Sequence, residues 1–201
     1  AESNQRQTAY EIIVSTSPDD VRASRGTLWA SGKVNSDRSI HIAYSGKPLQ
    51  PFTGYYWAVR VYDQDDKPSA FSEPSWFETA MLAPGDWRGK WIGDGSPQFT
   101  RDADFYQDDR MPLFRKDFSV RKNVVSARLY ISGLGYYEAY VNGKRVSDNM
   151  LDPGWTTYKK EVLYVVHDVT PLMRQGANVA AVRLGNGWWN PLPLKLFGRF
   201  N

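Results

Sequence analysis

Two tryptophans stand side by side among glycines in "LGNGWWNP" (184–191). An indole face can stack on another ring, including a sugar ring, without any reactive group. On a strand, adjacent side chains point to opposite faces. At most one of the pair is then core, and the other lies on a surface, at an interface or in a binding groove. Trp188, Trp189 and the adjoining Asn190 are therefore the candidate substrate-binding residues. Gly185 and Gly187 would let the backbone turn sharply beside them. Two readings stay open: contact with a sugar or an active-site rim, and packing between domains.

A second aromatic stretch, "GLGYYEAYVNG" (133–143), raises the same question. On a strand, Tyr136, Glu138 and Tyr140 share one face, and Tyr137, Ala139 and Val141 share the other. Aromatic pairs are ordinary sheet material, so the scaffold reading outweighs direct sugar contact.

Acid–base and metal chemistry find less support. Asp102, Asp104, Asp108 and Asp109 crowd one polar stretch. A solvated loop is the main reading and a calcium loop the runner-up. The EF-hand template fails, because Gln107 and Leu113 stand where Gly and Glu are needed. His41 and His167 each sit in a strand-like run without enough companions to hold a metal. There are no cysteines, which removes disulfides, thiolate catalysis and zinc–thiolate sites. No G-x-S-x-G elbow, phosphate loop or dinucleotide fingerprint occurs. "GLGYYE" lacks the third glycine and opens a strand. No catalytic residue, metal or cofactor is assigned.

The 201 residues suffice for one large or two small domains. The net charge of +3 comes from scattered basic residues, with no basic stripe of the kind nucleic acid selects. No stretch is apolar enough for a membrane span. The first ten residues, "AESNQRQTAY", are polar and unlike a signal peptide. The absence of cysteine does not fix the compartment, and a periplasmic or extracellular location is favoured.

Strands must position these residues. "TAYEIIVSTS" (8–17) is a β-rich run that stops at the turn-forming "SPDD". "GYYWAVRVYD" (54–63) alternates, placing Tyr55, Trp57, Val59 and Val61 opposite Tyr56, Ala58, Arg60 and Tyr62. "WFETA" (76–80) closes the first half. "MLAPGDWRGKWIGDG" (81–95) reads as a linker docked through Trp87 and Trp91. Further strands follow at 112–120, 126–135, 136–146, 161–170 and 178–187. Asn142-Gly143 marks a hairpin, and "TPLMRQG" a helical turn capped by Thr170 and stopped by Gly176. The expected fold is all-β, with two consecutive β-sandwiches. Domains are set at 1–82 and 112–201, with a linker and docking segment at 83–111.

Three pieces, "GLGYYEAYVNGKRV", "LDPGWTTY" and "LGNGWWNPLPL", resemble the N-terminal β-sandwich domain of bacterial α-L-rhamnosidases. "LQPFTGYYWAVRVYD" resembles the fibronectin type III pattern, with Tyr55 as the tyrosine-corner residue. The resemblance implies a fibronectin type III-like sandwich, then a jelly-roll-like one, both incomplete at the chain ends. It implies a parent that hydrolyses terminal α-L-rhamnose with inversion in an (α/α)6 barrel, to which nothing in this chain corresponds. The segment would support that barrel and contact a rhamnose-containing glycan through the parent enzyme. The alternative is a stand-alone carbohydrate-binding or adhesion module. A third reading is an interaction domain with no sugar role.

Overall fold

A computed structural model describes residues 5–95, 101 and 111–189. The chain divides into two compact units, Ala1–Lys90 and Trp91–Asn201. The regular structure of both is nearly all antiparallel β, as expected from the strand patterning. No helix among the described residues is long and apolar enough to cross a membrane.

The first unit holds β1 (Ala9–Ser15), the short helix α1 (Pro18–Arg22), β2 (Trp29–Ala30), β3 (Val34–Asn35), β4 (Gly54–Tyr62) and β5 (Ser75–Glu78). These strands form one sheet in the order β2-β1-β4-β5, with β3 also on β1. The β1–β4 ladder runs from Ala9 opposite Tyr62 to Ser15 opposite Tyr56. Its register sets Ile13 across from Ala58. Val21 of α1 joins those two in a buried cluster, and Tyr56 and Phe71 pack against it. Burying one branched aliphatic side chain in this way contributes about 1.5–3 kcal/mol.

The "SPDD" segment differs from the turn expected of it. Ser17 caps a helix by accepting from the Asp19 N–H at 3.2 Å, and Pro18 supplies a preset φ at the first position. Asp19 and Asp20 complement the helix dipole in the first turn. Tyr55 is buried, and its hydroxyl accepts from the Gln50 N–H at 2.7 Å. That bond to backbone upstream is the tyrosine-corner arrangement of β-sandwich domains. His41 lies in no strand; it sits in an exposed loop at φ 56.

The second unit holds β6 (Leu113–Val120), β7 (Arg128–Ile131), β8 (Tyr136–Val141), β9 (Lys144–Arg145), β10 (Val165–Asp168) and β11 (Gly176–Gly185). One sheet runs β6-β11-β8-β9, and a second pairs β10 with β7. Tyr137, Ala139 and Val141 of β8 are buried, while Tyr136, Glu138 and Tyr140 face outward. On that outer face Glu138 accepts from the Arg183 guanidinium and from the Tyr140 hydroxyl. The Arg183 bond, more than any other contact, holds the Glu138 carboxyl below the usual carboxylate range. This stretch is therefore a two-faced strand with a paired, solvated outer side. Asn142 and Gly143 take φ 52 and 79, the left-handed pair that a tight hairpin between β8 and β9 requires.

Two expectations need correction here. Of the run 161–170, only Val165–Asp168 pairs as strand. The turn after it is a 3-10 segment, Thr170–Leu172, entered from Val169 rather than capped by Thr170. Thr170 is spent elsewhere: its Oγ1 accepts from the Ala127 N–H and its own N–H donates to Asp168, both at 2.9 Å. These bonds tie the turn to the chain leading into β7.

Candidate functional site

The site is built from the turn that follows β11 and the loop that follows β9. The strand expected under Trp188 and Trp189 ends at Gly185, and residues 187–189 form a turn. The reasoning that adjacent tryptophans take opposite faces therefore does not apply. Both are half-exposed, Trp188 at 45% and Trp189 at 47%, and neither is core. Asn190 lies outside the described residues, as do Asp102, Asp104, Asp108 and Asp109.

Each tryptophan meets a different ring. Trp188 packs against Trp155 with centroids 5.7 Å apart and planes tilted by 40°. Trp189 meets Tyr158 edge to face, also at 5.7 Å. Trp155 is itself 61% exposed. The segment "GWTTY" thus carries two rings, Trp155 and Tyr158, to the two that "GWW" presents. The two pairs, with Trp155, Trp188 and Trp189 exposed, form an aromatic shelf. In sequence, "LDPGWTTY" stands out as a family-like motif, with nothing that marks Trp155 and Tyr158 as partners of Trp188 and Trp189. Their spacing of three in an irregular loop carries no periodic signal, so only the fold brings them to Trp188 and Trp189.

Two glycines lock the turn beneath the shelf. A Cβ on Gly135 would lie 2.5 Å from the carbonyl oxygens of Gly185 and Asn186. A Cβ on Gly187 would lie 2.8 Å from the Gly135 Cα. Both residues have positive φ, +92 and +51, so each position favours glycine twice over. Gly185, expected to share this role, is in the extended end of β11. The Gly135 N–H also points to the Tyr158 hydroxyl at 3.4 Å, linking the "GLG" corner to the second ring pair.

A polar contact joins the two sheets of this unit. His167 of β10 is buried, and its Nε2 is 3.0 Å from the Tyr137 hydroxyl of β8. Burial lowers the His167 pKa, partly offset by the Asp152 carboxylate, whose Oδ2 is 3.9 Å from Nε2. Burial, with a smaller contribution from the same carboxylate, raises the Tyr137 pKa. Among the described residues no group of three or more His, Asp or Glu side chains is arranged to hold a metal ion. What the fold brings together here is two ring pairs over a turn in which neither Gly135 nor Gly187 leaves room for a Cβ.

Fold and site together define an all-β accessory region with an immunoglobulin-like domain ahead of a second β domain. Residues 1–83 match the family described as Rha78A-like, N-terminal immunoglobulin domain, and residues 122–194 match the Alpha-L-rhamnosidase N-terminal domain. In sequence and fold, this chain is the N-terminal region of the alpha-L-rhamnosidases. An alpha-L-rhamnosidase of Formosa agariphila is 36% identical over 197 residues, covering 91% of this chain and 21% of the relative. The solved alpha-L-rhamnosidase of Dictyoglumus thermophilum superposes with a TM-score of 0.82 at 43% identity, over 92% of this chain and 22% of that one. The native enzyme of Aspergillus terreus gives 0.75 at 33% identity, over 94% and 20%. The chain spans about a fifth of the length of the curated relatives it matches.

Proposed function

We propose that this chain is the accessory part of an enzyme that releases terminal α-L-rhamnose, and that its aromatic shelf contacts a rhamnose-containing glycan. The parent's chemistry on this reading is inverting hydrolysis in an (α/α)6 barrel elsewhere in the polypeptide. Two carboxylates held about 6.5–9.5 Å apart, with a water between, would carry it. This region supports the barrel and adds binding surface. Domains at 1–82 and 112–201, with 83–111 as linker, go with the same reading, as does a fibronectin type III type for the first.

The observation that carries the sugar-contact reading is the pairing of half-exposed Trp188 and Trp189 with Trp155 and Tyr158 on a turn two glycines lock. Pyranose rings have apolar faces, and indoles lying open to solvent at fixed spacing suit them. The same exposure suits a carbohydrate-binding or adhesion module acting without a barrel, which is the second reading.

A titration of the 201-residue chain with L-rhamnose and rhamnosyl oligosaccharides, followed by tryptophan fluorescence, tests the contact. Saturable quenching that Trp188→Ala and Trp189→Ala each abolish supports it. A flat response to every glycan removes the binding role and leaves that of scaffold.

A further inference from the structure

The loop that carries Trp155 is fastened by groups that do not stack on anything. The Tyr137 N–H donates to the Asp152 carbonyl at 2.9 Å, an isolated β-bridge between β8 and the loop. Asp152 Oδ2 accepts from Asn149 Nδ2 at 2.9 Å and lies 3.9 Å from His167 Nε2. Tyr137 and His167 are each 6% exposed. The charged and titratable groups around this narrow cavity are Tyr137 and Glu138 from β8, Arg145 from β9, His167 from β10 and Asp152 from the loop. Arg145 and Glu138 are paired at 3.4 Å, and Arg145 also donates to the Asn149 carbonyl at 2.9 Å. Among the described residues Asp152 is the carboxylate that approaches the imidazole, and its Oδ2 is held by Asn149.

We propose that Tyr137, His167 and Asp152 form a proton-operated latch on the 149–155 loop, so that protonating His167 re-seats Asp152 and shifts Trp155 against Trp188. On this proposal the neutral imidazole carries its proton on Nδ1, so that Nε2 accepts from the Tyr137 O–H. One proton taken from solvent onto Nε2 turns that acceptor into a donor. The Tyr137 hydroxyl must then turn its own proton away and accept from Nε2–H across 3.0 Å. The imidazolium charge also attracts Asp152 Oδ2, 3.9 Å from Nε2. Closing 3.9 Å to a charge-assisted hydrogen bond moves it by about 1 Å. Asp152 then releases Asn149. Three residues on, Trp155 follows the loop. Burial holds the His167 pKa below the ordinary histidine range, and the Asp152 charge opposes part of that lowering.

The latch concerns the loop itself; only its consequence for glycan binding rests on the function proposed above. The test follows tryptophan indole resonances of the 201-residue chain by NMR from pH 5 to 8, with Trp155→Phe assigning the Trp155 signal. The Trp155 and Trp188 signals are expected to move together, with the midpoint of the His167 ring, while that of Trp76 stays fixed. His167→Gln should flatten both curves. Tyr137→Phe keeps the ring but deletes the donor that favours neutral imidazole. It should raise the His167 midpoint by about half a unit to one unit. A Trp155 signal that stays still while His167 titrates overturns the latch. So does movement that persists in His167→Gln, or a midpoint that Tyr137→Phe leaves unchanged. No sugar is present, so this result is separate from that of the glycan titration.

Discussion

Both units of this chain expose tryptophan, but they do so differently. Trp76 in the first unit is 61% exposed with no ring partner among the described residues. It projects from β5, a four-residue strand at the end of the sheet order. Trp155 in the second unit is equally exposed, yet it packs on Trp188, and Trp189 packs on Tyr158 beside it. Exposure alone is normal for a single apolar residue. Four rings brought together by a loop and a turn whose glycines interlock are a built surface. The difference is made by backbone rather than by composition: the first unit holds its aromatic Tyr55 inward through the Gln50 bond, while the second holds its rings outward through Gly135 and Gly187.

The comparison can be broken first at its backbone. Gly135→Ala forces a Cβ against two carbonyl oxygens at a positive φ. Strain and overpacking together should cost the second unit about 2–5 kcal/mol, read by urea unfolding. Ile13→Ala in the first unit should cost a similar 2–5 kcal/mol by emptying the Ile13–Ala58–Val21 cluster, with no effect on the shelf resonances. If Gly135→Ala unfolds no earlier than wild type, the locked turn is not what holds the shelf.

A smaller effect is expected with pH. The folded-state pKa of His167 lies below its unfolded value because burial disfavours the imidazolium. As pH falls, the unfolded chain therefore takes up the proton first, and stability is lost from about pH 6.5 downward. It is fully present above that range. Urea midpoints between pH 5 and 8 should slope in this direction, and His167→Gln should remove the slope. A slope of the opposite sign would mean that Asp152 outweighs burial.

Helix capping gives the next effect in size. Ser17→Ala removes the acceptor for the Asp19 N–H and should cost about 1 kcal/mol in the first unit. Smallest of all is the stability change from Trp155→Ala or Trp188→Ala, expected within about 1 kcal/mol because both rings are half or more exposed. A large loss there would place those rings in the core and remove the contrast with Trp76.

Much of this was legible in the sequence, for identifiable reasons. The alternation in 54–62 and 136–141 reported strands and, in the second, which residues share a face; which face is buried came from the fold. Asn142-Gly143 gave the hairpin because few residue pairs accept φ > 0 twice. "SPDD" carried a cap, a proline and two acids, all helix-start signals, but five residues are too few for periodicity to reveal a helix. Trp188 and Trp189 were picked out by their adjacency, while their geometry depended on where β11 stops. Gly185 and Gly187 left that end point open in the sequence. Trp155 and Tyr158 were missed because their partners lie some thirty residues away, joined only by the fold. His167 read as a spectator for the same reason: Tyr137 and Asp152 come from other elements.

The central claim is that the shelf in the second unit is a glycan-contact surface and the exposed tryptophan of the first is not. Indole NMR resonances of the intact 201-residue chain, recorded while a rhamnosyl oligosaccharide is added, test it most directly. The account predicts saturable shifts of the Trp155, Trp188 and Trp189 signals with a common dissociation constant, and a Trp76 signal that does not move. Shifts at Trp76 equal to those at the shelf, or none at the shelf at saturating sugar, would contradict it.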